Sequence, residues 1–319
     1  MIKHIAIDAG KAFTKGAMRK SDGTDKFVKF ETAYDKAIGT GNVPAGHYVV
    51  ELDGEEYLVG PSASNTSSGT TDKATLVHKL AAYCVLDQFC DNGDEVVVAI
   101  GAPISTTLSK EQVEKFKAYI FPTKQLTLKV KTADKGMSTK TITIKNVSVC
   151  AEGSGIINLD TRLQQVRCGV IDIGGKNINC CTFENSFSKT ATAFTANFGA
   201  IKFKSDLRQA INNQFGTELT DATMNDVLKY GGVPTGNFNN PVRQDTVQFV
   251  SEYKQAFFDN IISQCKAKDW DIDYMYVVFV GGGSMLFGTE IAKAFGDRAV
   301  VYDDADMMNV AGFLKTIAG

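Results

Sequence analysis

Hydrophobic positions in this chain keep two rhythms: short continuous runs, and longer stretches spaced three and four apart. Continuous runs bounded by turn residues read as buried strands, and the wider spacing reads as helix. The first run predicts a strand over 2–8, a turn over 9–14 and a return strand over 15–18. Ser21-Asp22-Gly23-Thr24-Asp25 marks a second hairpin tip. Residues 30–75 lack a clear rhythm, and 39–46 and 61–71 are rich in Gly, Ser, Thr and Asn. They predict a small, loop-rich subdomain rather than core sheet. A helix follows over 73–90, then the buried strand Val96-Val97-Val98-Ala99-Ile100, which ends in the loop Gly101-Ala102-Pro103. Residues 110–119 read as helix, and 126–130 and 141–149 as strands around the turn Asp134-Lys135-Gly136.

The second half repeats this order. Residues 154–166 read as a connecting helix that leads into the apolar run Val170-Ile171-Asp172-Ile173. A turn at 174–176, a return strand over 178–183 and a third strand over 190–194 form a meander. Helices are predicted over 200–215, 220–228 and 245–265, with a Gly/Pro/Asn loop over 231–241. A buried strand over 274–280 and a terminal helix over 305–317 complete the chain. Hairpin, strand and helix, occurring twice, predict α/β architecture with an internal duplication.

Composition narrows the function classes. The 319 residues suit two domains, and 44% hydrophobic with 22% charged residues supports a substantial core. A formal charge of −2 offers no basis for direct binding to nucleic acid or to a membrane surface. His4, His47 and His78 are scattered, which disfavours a histidine metal site. The seven cysteines are odd in number and lack CxxC spacing, so a reducing compartment is expected. Met1-Ile2-Lys3-His4 opens no signal-peptide core, and no apolar run is long enough to span a membrane. A soluble, cytoplasmic protein is expected.

The candidate chemistry lies in the duplicated turns. Ile5-Ala6-Ile7-Asp8-Ala9-Gly10, with Lys11, Ala12, Phe13 and Lys15 after it, matches Val170-Ile171-Asp172-Ile173-Gly174-Gly175-Lys176-Asn177. Each is an apolar strand, an aspartate and a glycine turn. Glycine turns expose backbone N–H groups that can approach phosphates closely. Carboxylates at the base of such clamps repel phosphate but can hold Mg²⁺ through its waters. Lys15, on the return strand, would neutralise a β-phosphate. Gly281-Gly282-Gly283-Ser284 follows a strand and opens a helix, which suits close approach to a base or ribose. It lacks the dinucleotide GxGxxG spacing. Glu152, in Ala151-Glu152-Gly153-Ser154-Gly155, could orient an attacking water at a γ-phosphate.

Together these residues resemble the actin-like ATPase superfamily, and within it the ParM-type bacterial actins that segregate plasmids. Phosphate-1 matches Asp8, Gly10 and Lys15, and the first connecting segment matches 150–157. Phosphate-2 matches Asp172, Gly174 and Gly175. The adenosine motif matches 280–284 with Met285 beside it, and the second connecting segment matches 306–312. The chain length and the Ile100-Gly101-Ala102-Pro103-Ile104-Ser105 loop fit the ParM branch.

The resemblance implies two duplicated ribonuclease-H-like domains with a nucleotide cleft between them. Their expected extents are 1–153 and 154–304, with 305–319 as a helix packing back on the first. It also implies an ATPase that polymerises with ATP, or GTP, and disassembles after hydrolysis. Glu152 and Asp172 are then the catalytic residues, and Asp8 and Asp172 the Mg²⁺-associated carboxylates. Gly281, Gly282, Gly283, Ser284 and Met285 are expected in the adenosine pocket. A DNA-binding adaptor would join filament ends to plasmid centromere DNA. Two departures stand out: Lys11 replaces a hydroxyl residue after the phosphate-1 glycine, and Lys176-Asn177-Ile178-Asn179 replaces the phosphate-2 Thr-Thr-x-Asp. A sugar-type kinase is the alternative; it needs a carboxylate base in a recognisable loop, which the first half lacks, and Asp87, Asp91 and Asp94 are the acids left to consider. A nucleotide-binding module without turnover is a third reading.

Overall fold

The computed structural model describes residues 2–37, 41–66, 72–185, 187–238 and 240–318. The chain forms two compact units, one of residues 1–165 with 306–319 and the other of 166–305.

The first unit opens with the meander β1 (Ile2–Ala9), β2 (Phe13–Arg19) and β3 (Asp25–Glu31). Next come β4 (Tyr34–Lys36), β5 (Tyr48–Leu52), β6 (Glu55–Val59) and helix α1 (Leu76–Phe89). Strand β7 (Glu95–Ala102) leads to a single turn, α2 (Ile104–Thr107), and to α3 (Lys110–Ile120). Ser109 caps α3 by accepting from the Gln112 backbone N–H at 3.4 Å. Strands β8 (Gln125–Thr132) and β9 (Lys135–Ala151) and the short helix α4 (Gly155–Leu159) follow. The strands make one nine-stranded sheet in the order β3-β2-β1-β7-β9-β8-β5-β6-β4. β1, β7 and β9 run parallel, and the hairpin partners are antiparallel.

Side-chain alternation gives the sheet two unlike faces. Ile5 and Ile7 of β1 join the large cluster that includes α1 residues such as Leu80 and Leu86. Ala6, Ala17 and Ala99 face the other way, against Val310, Phe313 and Leu314 of the unit's last helix. Small residues there let a helix lie close on the sheet.

The second unit repeats the meander as β10 (Cys168–Ile173), β11 (Ile178–Glu184) and β12 (Phe187–Ala196). Helices α5 (Ala200–Phe215) and α6 (Asp221–Tyr230), the hairpin β13 (Pro234–Asn237) with β14 (Asn240–Val242), and the long helix α7 (Gln244–Lys266) follow. Strand β15 (Tyr276–Val280), helix α8 (Gly288–Phe295) and strand β16 (Ala299–Val301) close the unit. Its sheet runs β12-β11-β10-β15-β16, with β10, β15 and β16 parallel. Each sheet thus joins a three-strand meander to two parallel strands. Helix α9 (Met308–Ala318) belongs to the first unit.

Several expectations change. The region 30–75 is not merely loop-rich. β5 pairs with β8 and β6 with β4, so these strands extend the main sheet, and Val49, Val50 and Val59 are buried. The overlooked signal is Asp53-Gly54 between alternating strands, with both residues at positive φ (53° and 82°). Residues 39–40 and 67–71 of the expected loops lie outside the described residues.

The helix expected over 154–166 stops at Leu159 and resumes as a 3₁₀ turn over Thr161–Gln165. Asp160 interrupts it by accepting from the Arg162 backbone N–H at 3.0 Å. Where the sequence reading began the second half at 154, this segment sits in the first unit, and α4 lies on α9. The loop expected over 231–241 holds the small hairpin β13–β14. After β15 the glycine turn opens a 3₁₀ turn over Ser284–Phe287 before α8 begins.

Candidate functional site

In the first unit the hairpin register places Lys15 directly opposite Asp8. Cross-strand partners share a face, so the Lys15 Nζ lies 3.4 Å from Asp8 Oδ2. The turn between them is braced: Gly10 N–H donates to the Asp8 carbonyl at 2.9 Å, and Thr32 N–H to the Ala12 carbonyl at 2.9 Å. The Thr14 and Thr32 hydroxyls share a buried hydrogen bond of 2.8 Å. Lys11 is buried in this turn, whereas Phe13 is exposed with the Lys29 Nζ 5.0 Å from its ring centre.

Asp8 also meets a lysine that the sequence reading missed. Lys73 Nζ lies 3.5 Å from Asp8 Oδ1 and makes a closer ion pair with Glu152. Burial pushes the Asp8 carboxyl up, but Lys15 and Lys73 outweigh it and hold the group below the usual carboxylate range. Glu152 follows the end of β9, where its N–H donates to the Ala102 carbonyl at 2.9 Å. Gly153 N–H donates to Asn309 Oδ1 at 2.9 Å, which ties the two connecting segments together. Asp8, Lys15 and Glu152, all expected in the site, therefore share one cluster. Nothing local in Asp72-Lys73-Ala74 marks Lys73, because its partners lie far along the chain.

The second unit carries the matching hairpin. Asp172 lies opposite Asn179, the position that Lys15 fills opposite Asp8. Asn179 Oδ1 accepts from the Thr195 hydroxyl at 2.8 Å, so the residue is held by β12. Gly174 N–H donates to the Asn177 carbonyl at 2.9 Å and closes the turn. Helix α5 starts on that turn: the Ala200 and Ile201 N–H groups donate to the Gly174 and Gly175 carbonyls at 3.0 and 2.8 Å. Gly199 permits this approach, since a Cβ there would stand 2.6 Å from the Gly174 carbonyl oxygen. Burial lowers the Lys176 pKa, and Asn177 is buried.

The segment Gly281-Gly282-Gly283-Ser284 reaches back to the same hairpin. Gly281 has φ +82°, and a Cβ on it would collide with Asp172 Oδ1 and stand 2.6 Å from the Ile173 carbonyl oxygen. Gly283 N–H donates to that carbonyl at 2.9 Å. The Ser284 hydroxyl turns inward to the Val280 carbonyl, while Gly282 and Met285 are exposed.

Beside Met285 lies a cavity of about 380 Å³, lined also by Lys204, Asn225, Lys229, Lys254 and Leu286. Lys204 Nζ donates to Asn225 Oδ1 at 3.0 Å, and Lys254 Nζ lies 3.3 Å from Glu290 Oε2. Phe203, Phe257 and Phe287 pack against one another with ring centres 4.9–5.4 Å apart, beneath the 3₁₀ turn that carries Met285. The lining lysines and Asn225 come from helices distant in sequence, and the sequence reading did not include them.

The carboxylates considered as a kinase base are engaged elsewhere. Asp87 lies 2.7 Å from Lys140 Nζ, and Lys3 Nζ lies 2.9 Å from Asp91 and 2.7 Å from Asp94. Among the described residues, no cluster of three or more His, Cys, Asp or Glu could hold a metal. No described helix is long and apolar enough to cross a membrane.

Comparison with known proteins places the fold. Residues 6–155 match the family of actin-like proteins, N-terminal domain. The chain has the actin-like fold. The Alp12 filament structure is similar at 22% identity and TM-score 0.73, covering 99% of this chain and 98% of that one. The archaeal actin homologue Ta0583, in complex with ADP, shares 18% identity at TM-score 0.75 over 99% of both chains. A ParM subunit from a 15-stranded Clostridium botulinum filament shares 16% at TM-score 0.74 over 98% of both. The actin-like chain thus resembles ParM-type proteins along its whole length. No match was found among curated protein sequences.

Proposed function

We propose that this chain is a nucleotide-dependent, polymerising actin-like ATPase whose filaments segregate plasmid DNA in the cytoplasm. The observation that carries the reading is the repeated hairpin, with Asp8 in one unit and Asp172 in the other, each followed by a glycine turn. Alp12 and ParM, which share the fold, are described as filaments, and Ta0583 as an ADP complex.

Mg²⁺ keeps most of its waters and takes few protein ligands beside substrate phosphates, which suits the single buried carboxylate that each hairpin offers. Asp8 and Asp172 would hold it, and when bound it would offset charge on the phosphates. Backbone N–H groups of residues 10–13 and 174–177 receive phosphate oxygens, with Lys11, Lys15 and Lys176 supplying positive charge. The cavity beside Met285 receives the nucleoside. Glu152 orients a water whose oxygen attacks the γ-phosphorus as the bond to the β–γ bridging oxygen breaks. Nucleoside diphosphate and phosphate leave, and the polymer loses its assembly-competent state. A DNA-binding adaptor joins the filament to centromere DNA, in keeping with a net charge near zero.

The test is sedimentation and negative-stain electron microscopy of purified protein with Mg-ATP, Mg-GTP, or either nucleotide in EDTA. Filaments that need Mg²⁺ and a triphosphate support the reading. Soluble protein in every condition at micromolar concentration would overturn it.

A further inference from the structure

Lys73 is buried between two carboxylates of the first unit. It is 1% exposed, while Lys15, the other lysine paired with Asp8, is 14% exposed. Burying a lysine ammonium is costly unless charge and geometry compensate. Here the compensation comes from two strand ends that are not neighbours. Asp8 ends β1 and Glu152 follows β9, and β7 runs between those strands. Strands two apart are separated by roughly 10 Å. Gly101 of β7 leaves the intervening space open: a Cβ there would stand 3.4 Å from Asp8 Oδ1 and 2.8 Å from the Phe313 ring. Lys73 reaches its two carboxylates from the segment before α1, outside these strands.

We propose that Lys73 is a positioning residue for nucleotide hydrolysis and acts through Glu152. The inference rests on the water-orienting role assigned to Glu152 above. A glutamate that orients water beside an anionic phosphate must be held in one rotamer and have its charge balanced. The Lys73 ion pair does both. Lys73 also neighbours Asp8, which keeps Lys15 as a partner when Lys73 is changed, so the loss falls on Glu152.

The experiment compares the full chain with Lys73→Met, Lys73→Arg, Glu152→Gln and the double variant Lys73→Met/Glu152→Gln. Single-turnover phosphate release from Mg-ATP and Mg-GTP is measured beside nucleotide affinity and thermal unfolding. Lys73→Met should slow release by ~10-fold or more, a loss typical of a misplaced catalytic group. Its nucleotide affinity should stay within about 3-fold of wild type, since the interaction acts on the hydrolytic step. Lys73→Arg should recover part of the rate. The double variant should be no slower than Glu152→Gln alone, because Lys73 acts through that carboxylate. It also removes one charge of each sign, which keeps the comparison available if Lys73→Met fails to fold. A double variant slower by the product of the single losses, or Lys73→Met at the wild-type rate, overturns the proposal. Wild-type protein that neither binds nor hydrolyses either nucleotide would instead sink the ATPase reading, and this inference with it.

Discussion

Gly155 at the start of α4 and Gly312 in α9 meet backbone to backbone. A Cβ on Gly155 would stand 2.7 Å from the Asn309 carbonyl oxygen, and one on Gly312 would overlap the Gly155 backbone. The two connecting segments recognised in the sequence are therefore in contact, and helix α9 is fastened to the first unit at glycine. Gly312→Ala should cost at least about 2 kcal/mol, because overpacking against backbone leaves little room to relax. Gly136→Ala, with open space around it, is the control. Urea unfolding of both variants checks this, and equal midpoints would refute the packing argument.

In the second unit, Gly281→Ala must overcome both a left-handed backbone and a collision with Asp172. The expected loss is about 2–4 kcal/mol, together with loss of nucleotide binding. Gly136→Ala, with open space around it and outside the proposed nucleotide site, should bind nucleotide as wild type does. Titration with a fluorescent ATP analogue would separate the two, and tight binding by Gly281→Ala would remove this turn from the site.

Glu152→Gln keeps the shape of the side chain and removes its charge. Phosphate release should fall by ~10²-fold or more while Mg-ATP-dependent assembly persists. Filaments should then outlast wild-type filaments in light scattering. Rapid release and normal decay would take Glu152 out of its proposed role.

The strand edge near the amino terminus has its own pH dependence. Burial raises the Asp94 carboxyl, but Lys3 and the Asp91 N–H, which donates to Asp94 at 2.7 Å, hold it below its ordinary value of 3.8. A carboxyl lowered on folding stabilises the native state above the unfolded pKa, and the benefit disappears as pH falls through the folded value. Asp94→Asn should therefore cost about 1–2 kcal/mol at pH 7. The difference from wild type should shrink below pH about 3.8. Thermal melts at several pH values would show whether the gap closes on the acid side.

None of the seven cysteines is in a disulfide, and burial raises the thiols of Cys90 and Cys181 to about 12 and of Cys168 to about 11. At pH 8 a thiol with a pKa near 12 is ionised to only about one part in ten thousand. Native protein should accordingly react first at the partly exposed Cys150, with Cys90, Cys168 and Cys181 labelled only on unfolding. Mass spectrometry after timed alkylation reads this directly. Equal labelling of Cys150 and Cys181 would contradict the burial.

Features carried by neighbouring residues were legible before the fold was known. The hairpins of Asp8 and Asp172 were legible because an apolar strand, a carboxylate and a glycine turn follow one another within a few residues. The clear amphipathic helices, such as α7, were legible for the same reason, since backbone periodicity is a local property. Asp160 was the exception, a short polar side chain that competes for the backbone and ends a helix the pattern would extend. The rest depends on contacts between distant parts of the chain. Tertiary structure enrolled β5 and β6 in the main sheet, where pairing with β8 supplies the burial that makes strands of them. It brought Lys73 to Asp8 and Glu152, and assembled the cavity beside Met285 from Lys204, Asn225, Lys229 and Lys254. A lysine reads as solvated wherever its neighbours in sequence are polar. Only folding reveals which lysines are buried against carboxylates from distant strands, because that burial depends on the sheet order and not on the residues beside it.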